Sequence, residues 1–268
     1  MTELLDMPWQ RPRIAVLEVT GPIGVQVRGP EMVRTIKALR DDRRVQAVVV
    51  EIDSPGGSAA VSDSIFRALK RLSAKKPTVA FVGNNALSGG YLIACGAREI
   101  IGLPTSLVGS IGVIFMRPVV QELMQKVGVR MVVHHEGRLK GMFQPWRDPT
   151  PEEEEKVQAL TTEYYEWFVN AVASARNLPV ETVREYATGE MFSAAKGKEI
   201  GLVDAVGDFD QAVERVKEMA GLIEKPKLQW VRPRRPLFER LLTRGAASIT
   251  EAALARFEER IYPRIEFR

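Results

Sequence analysis

The sequence predicts an α/β fold organised on a parallel sheet, and three stretches predict it. Val45–Ile52 is a near-continuous β-branched run, the pattern of a strand covered on both faces. Asp53-Ser-Pro-Gly-Gly57 stops that run sharply, and helical spacing follows over Ser58–Leu72. Pro77–Gly83 repeats the pattern, with Asn84-Asn85 as its turn, Ser88-Gly-Gly90 beyond it and an apolar helix from Gly90 to Gly96. Two such units with right-handed crossovers place both glycine-rich turns on the carboxyl edge of the sheet, where open α/β folds bind ligands.

The other elements follow in chain order. Arg13–Gly21 reads as a first strand ending in a Gly-Pro turn, and Glu31–Arg40 as a helix with Met32, Ile36 and Leu39 on one face. Glu99–Leu103 and Leu107–Phe115 continue the strand pattern, Val119–Val127 is helical, and Val129–His135 is a further strand. A loop rich in glycine, proline and aromatic residues covers Glu136–Pro149. Thr150-Pro-Glu-Glu153 then starts a helix, with a capping threonine, proline at the first position and glutamate three residues after the cap. It runs past Trp167 to about Ala175. Helices follow at Val180–Tyr186, Ala194–Ile200 and Asp208–Met219, the last after a short Leu202–Asp204 segment.

From about Pro226 the chain turns basic, and residues 221–268 hold eleven Lys or Arg against six Glu. Leu237, Phe238, Leu241 and Leu242 give an apolar face beside arginines, and Ile249–Ile261 is a second amphipathic stretch. Such a tail packs on a neighbouring subunit or lies on an anionic membrane surface. The composition of the whole chain, 45% hydrophobic and 27% charged over 268 residues, is that of a soluble globular protein. No apolar run approaches the ~18 residues of a spanning helix, and Met1–Pro8 lacks the basic and apolar regions of a secretory signal. The single cysteine, Cys95, lies in an apolar helical stretch, which excludes an intrachain disulfide and fits a reducing, cytoplasmic compartment. No cofactor, metal or nucleic-acid partner is expected.

Ser88 stands where strand becomes helix, a position that offers exposure, free backbone N–H groups and a dipole favouring negative charge. A serine there is either a helix cap or a nucleophile. A nucleophile needs a base within reach and donors for the oxyanion. The two histidines, His134 and His135, end a predicted strand, so alternation lets only one of them face Ser88. Lys140, in the following loop, is the better candidate. A lysine is protonated near neutral pH, so acting as a base requires burial to lower its pKa from ~10.4 by roughly three units, about 4 kcal/mol. Leu139, Met142 and Phe143 are neighbours of the kind that bury an amine. With both turns on one sheet edge, the N–H groups of Gly57 and Gly89 converge on one carbonyl oxygen. Turns of this kind also cradle phosphate.

Asp53-Ser-Pro-Gly-Gly57, Ser88-Gly-Gly-Tyr91, Gly109-Ser-Ile-Gly-Val113, Gly137-Arg-Leu-Lys140 and Gly201-Leu-Val-Asp204, in this order, resemble the signal peptide peptidase A (SppA) family of Ser-Lys serine peptidases over residues 14–220. The resemblance implies a Clp/crotonase-like fold of repeated ββα units around a parallel sheet. It makes residues 1–225 a peptidase domain and 226–268 a basic helical extension. It also implies Ser88 as nucleophile, Lys140 as general base, Ser110 as the serine that hydrogen-bonds the lysine amine, and Gly57 and Gly89 as oxyanion donors. The expected substrates are short apolar peptides such as released signal peptides. The expected assembly is a homo-oligomeric ring, eight copies by the family's habit. Two departures stand out: Gly141 and Met142 follow the lysine where many members have an acidic or polar residue, and the amino-terminal membrane anchor usual in bacterial members is not seen. The rival readings are a crotonase-type acyl-CoA enzyme, which would bring a carboxylate into the site, and a non-catalytic scaffold held on membranes by its basic tail.

Overall fold

The computed structural model describes residues 12–224 and 226–233. They fall into two compact units: residues 111–189 form one, and the described residues up to 110 and from 190 onward form the other.

The larger unit is built on an eight-stranded sheet. Its centre is β1 (Arg13–Thr20), β2 (Val45–Ser54) and β3 (Thr78–Leu87), all parallel and nearly devoid of exposed side chains. The β-branched run of β2 is buried on both faces because helices cover both. On one face, Ile14, Ala47, Val49, Val79 and Phe81 pack against Ala212, Val213 and Val216 of a later helix. On the other face lie α1 (Gly29–Asp41), α2 (Ala59–Ser73) and α3 (Gly89–Ala94): α3 packs on β2 and β3, and α2 packs on α3 and α1. Met32, Ile36 and Leu39 are the buried stripe of α1, as their spacing predicts.

Two short strands share β3. The first half of β3 pairs with β4 (Glu99–Gly102), and its last residues, Asn85–Leu87, pair with β5 (Leu107–Gly109). Beyond the smaller unit in the chain, β6 (Met191–Ser193) pairs antiparallel with β5, and β7 (Ala205–Val206) pairs with β4. The smaller unit holds α4 (Gln121–Lys126), α5 (Pro151–Arg176) and α6 (Val180–Tyr186). The predicted start of α5 is present in full: Thr150 and Glu153 form a reciprocal capping box with proline in the first turn. Asn177 closes α5 in the left-handed conformation, and Arg184 of α6 forks onto Glu166 of α5 at 2.6 and 2.9 Å. After β6 come α7 (Ala194–Glu199) and α8 (Phe209–Met219), the latter capped by Asp208.

The structure corrects several expected boundaries. Asn84-Asn85 is no turn: β3 runs through it to Leu87, because β5 supplies a partner for that stretch. The strand expected over Leu107–Phe115 stops at Gly109, where the backbone turns left-handed at Gly109 and Ser110. Val129–His135 is not a strand, and Val129, Met131, Val132 and Val133 are exposed. A β-rich composition needs a neighbouring strand to take its hydrogen bonds, and the smaller unit has none among its described residues. Lys227–Val231, assigned from sequence to the tail, adds β8 to the sheet beside β1. The amphipathic stretches expected at 237–242 and 249–261 lie outside the described residues.

Tyr91 ties the edge of this sheet together: it is fully buried, and its hydroxyl donates to the Leu202 carbonyl at 2.9 Å. Tyr91→Phe leaves that carbonyl without this donor and lowers stability by about 1–2 kcal/mol, read from urea denaturation.

Candidate active site

At the carboxyl edge of the sheet, β3 reverses into α3 at Ser88. Ser88 has φ +50° and ψ −120°, a conformation that side chains rarely occupy. It is held there by neighbours. Its N–H donates to the Gly109 carbonyl at 2.8 Å, and its own carbonyl accepts the Leu92 N–H at 3.0 Å. The reading of Ser88 as a helix cap fails, because its hydroxyl makes no capping hydrogen bond. Ser88 is half-buried while Leu87, Gly89 and Gly90 beside it are buried, so the strained turn lifts the serine out of the packed layer.

The second turn lies directly against the first. Ser54, fully buried at the end of β2, donates from Oγ to the Gly21 carbonyl at 2.8 Å and accepts the Gly56 N–H at 3.2 Å. The Gly56 carbonyl in turn accepts from Ile23 at 2.7 Å. Gly56 has φ +100°, and a β-carbon there would stand 2.8 Å from Ser88 Cβ and 3.0 Å from the Gly89 nitrogen. Only glycine permits that approach. Gly57, at φ +142°, has equally little room, with Ile23 backbone atoms where a side chain would begin. Neither the Gly57 nor the Gly89 N–H donates a hydrogen bond among the described residues. A β-carbon at Gly89 would meet the side chains of Ser62 and Ile23, and the adjoining carboxylate, Asp53, accepts from Asn84 Nδ2 at 3.1 Å.

Ser110, immediately after β5, shares the left-handed backbone of Ser88 at φ +50°, and its N–H donates to the Glu190 carbonyl at 2.7 Å. Of the three non-glycine residues with positive φ among the described residues, two are thus candidate site serines. Neighbouring strands end in matched reversals, since Leu87 and Gly109 are paired in register.

Lys140 belongs to the smaller unit. It stands on a succession of tight turns: its N–H donates to the Gly137 carbonyl at 3.0 Å, and Met142 donates to Leu139 at 3.1 Å. The side chain of Lys140 is exposed, which corrects the expectation that Leu139, Met142 and Phe143 bury it; Phe143 is itself half exposed and packs on Phe115. His134 and His135 are exposed and lie on no strand. What sequence reasoning missed is the ion pair behind the lysine turn. Arg147 forks onto Glu153, whose side chain is 3% exposed. The Arg147 hydrogen bonds, reinforced by the Thr150 N–H, hold the Glu153 carboxyl down at about 2. The capping box was legible from Thr150 and Glu153, but the arginine three residues before Thr150 carried no motif.

Two structures of a 1510-N membrane-bound stomatin-specific protease match, one a serine-to-alanine mutant and the other a lysine-to-alanine mutant in complex with a substrate peptide, at TM-scores of 0.54 and 0.55 and 17% identity. They cover 84% and 87% of this chain and 99% and 97% of their own. A mutant ClpP1 from Listeria monocytogenes matches at 0.51 and 14% identity, over 74% of this chain and 94% of its own. The architecture is therefore the ClpP/crotonase-like α/β fold. Residues 70–223 match peptidase family S49, a span that holds Ser88, Gly89, Ser110 and Lys140 and leaves Gly57 outside. Protein slr0021 of Synechocystis sp. is 38% identical over 234 residues, 86% of this chain and 83% of its own. The chloroplastic serine protease SPPA of Arabidopsis thaliana is 30% identical over 87% of this chain, and protease 4 of Salmonella typhi 34% identical over 76%. The chain spans only about a third of those two, 36% and 32%. The chain belongs to peptidase family S49 and is a serine-type peptidase. The acyl-CoA enzyme and scaffold readings give way to it. Among the described residues, no helix is long and apolar enough to cross a membrane.

Two outcomes follow from this geometry. Gly56→Ala forces a β-carbon onto the Ser88 turn at positive φ, and is expected to cost about 1–3 kcal/mol of stability and most of the reactivity of Ser88 toward a fluorophosphonate probe. Because the folded carboxyl of Glu153 titrates at about 2 and its ordinary value is 4.5, its contribution is complete above 4.5 and lost as pH falls toward 2. Thermal unfolding across that window should fall more steeply for the wild type than for Glu153→Gln.

Proposed function

We propose that this chain is an endopeptidase that cuts short, extended, apolar peptides such as released signal peptides, with Ser88 as nucleophile and Lys140 as general base. The observation that carries the reading is the Ser88 turn: a strained, half-exposed serine whose hydroxyl caps nothing, lying against the turn at Gly56, with the N–H groups of Gly57 and Gly89 without partners among the described residues. Lys140 takes the proton of the Ser88 hydroxyl as its oxygen attacks the scissile carbonyl. The oxyanion that forms accepts from Gly57 and Gly89 N–H. The protonated amine then gives its proton to the leaving nitrogen, and water releases the acyl group by the same path reversed. Ser110 hydrogen-bonds the lysine amine and keeps it aimed. No metal or cofactor enters these steps.

The chain works as a ring of copies, eight by resemblance. Support comes from the exposed apolar side chains Ile114, Phe115, Met116, Leu123, Val127 and Val132 in the smaller unit, which a neighbouring copy would cover. A lysine amine acts as a base when stripped of water, and assembly or bound substrate supplies that cover to Lys140. The protein resides in the cytoplasm, with the basic segment that follows β8 as its contact to a neighbouring subunit or to a membrane surface.

A fluorophosphonate probe should label the wild type and fail to label Ser88→Ala, and equal labelling of both would refute the nucleophile. Lys140→Ala should lose peptide hydrolysis with its circular dichroism unchanged; retained turnover would remove the base.

A further inference from the structure

The turn that carries Lys140 is tied on both flanks to the first turn of α5. After the lysine, Arg147 Nη2 donates to the Gly141 carbonyl at 3.0 Å, while both terminal nitrogens of the same guanidinium reach the Glu153 carboxylate. Arg117 donates to the next carbonyl, that of Met142. Before the lysine, Arg138 pairs with Glu152. Glu153 is itself fixed, accepting the Thr150 N–H at 2.9 Å within the capping box.

This arrangement does more than start a helix. The cap needs only Thr150 and Glu153, and Glu153 accepts from the Thr150 N–H with or without an arginine. Arg147 adds a bond that reaches past the helix to the carbonyl of the residue following Lys140. Gly141 is buried although the lysine beside it is exposed, so the main chain is anchored one residue away from a side chain left free to act. The sequence explains why the anchor comes from a distance. Gly141 offers no side chain to brace the base, and its neighbours Leu139 and Met142 offer no polar one. A turn without regular structure, left to itself, is mobile, whereas a general base must be placed to within about half an ångström.

We propose that Arg147, seated on Glu153, is a positioning residue for Lys140: by holding the Gly141 carbonyl it fixes where the lysine side chain leaves the main chain. This rests on Lys140 being the base. The fork matters more than the charge, since a lysine at 147 keeps the charge but has one nitrogen in place of the two that grip Glu153 while Nη2 reaches the Gly141 carbonyl.

The test uses the full chain and a fluorophosphonate probe, reading both the rate of Ser88 labelling and the final labelled fraction. Arg147→Lys is expected to slow labelling by roughly ten- to a hundredfold while the final fraction stays at the wild-type value, because a misplaced base costs rate and not folded protein. Thr150→Ala, which weakens the cap and spares the clamp, should lower the melting temperature and leave the rate unchanged. On a fluorogenic apolar peptide, Arg147→Lys should lower kcat with KM unaltered. Labelling of Arg147→Lys at the wild-type rate, whether complete or with a reduced final fraction, would overturn the proposal and leave only a structural pair. Lys140→Ala distinguishes the two failures: if it too labels at the wild-type rate, the base assignment falls and this proposal with it; if it alone is slow, only the clamp is wrong.

Discussion

Everything at the sheet edge depends on one backbone reversal that most residues resist. Ser88 sits at φ +50° with a full side chain, and the strain persists because three neighbours over-determine it. β5 takes its N–H through Gly109, α3 takes its carbonyl through Leu92, and the Gly56 turn leaves no room for the chain to relax. Without any one of these, the serine is free to fall back into an ordinary capping conformation, with its hydroxyl on the helix.

The sheet makes this possible through register. β2 and β3 pair evenly from Val48 to Ile52, then slip so that Ser54 meets Ala86. The slip carries the Ser54–Ser58 turn up against Ser88. Buried Ser54 locks it with one hydroxyl that serves two backbone groups, Gly21 and Gly56. Two N–H groups, of Gly57 and Gly89, are left without partners among the described residues. In a packed interior such groups are costly unless something else binds them, which is the condition a preorganised oxyanion site fulfils.

The smaller unit uses a different device. Lacking a sheet of its own among the described residues, it fixes an irregular segment with guanidinium groups aimed at backbone carbonyls, Arg147 on Gly141 and Arg117 on Met142. Arginine suits the task because one planar group satisfies a carboxylate and a carbonyl together. Rigid strands place the proposed nucleophile, and charged side chains anchored on a helix cap place the proposed base.

The sequence by itself determined the local features: the doubly covered β2, the apolar stripe of α1, the capping box of α5 and the two glycine-rich turns, because each depends on residues close in the chain. It also carried the family, since five short motifs in order are a local signal repeated. It misplaced Asn84-Asn85, Val129–His135 and Lys227–Val231, because a strand exists only where another strand accepts its hydrogen bonds, and no stretch of sequence names its partner. Only the tertiary structure decided that Gly56 touches Ser88, that the Ser88 hydroxyl caps nothing, that Lys140 stands exposed, and that Arg147 reaches Gly141. Each of these is a contact set by packing at ångström scale between segments whose spacing along the chain says nothing about their distance in space.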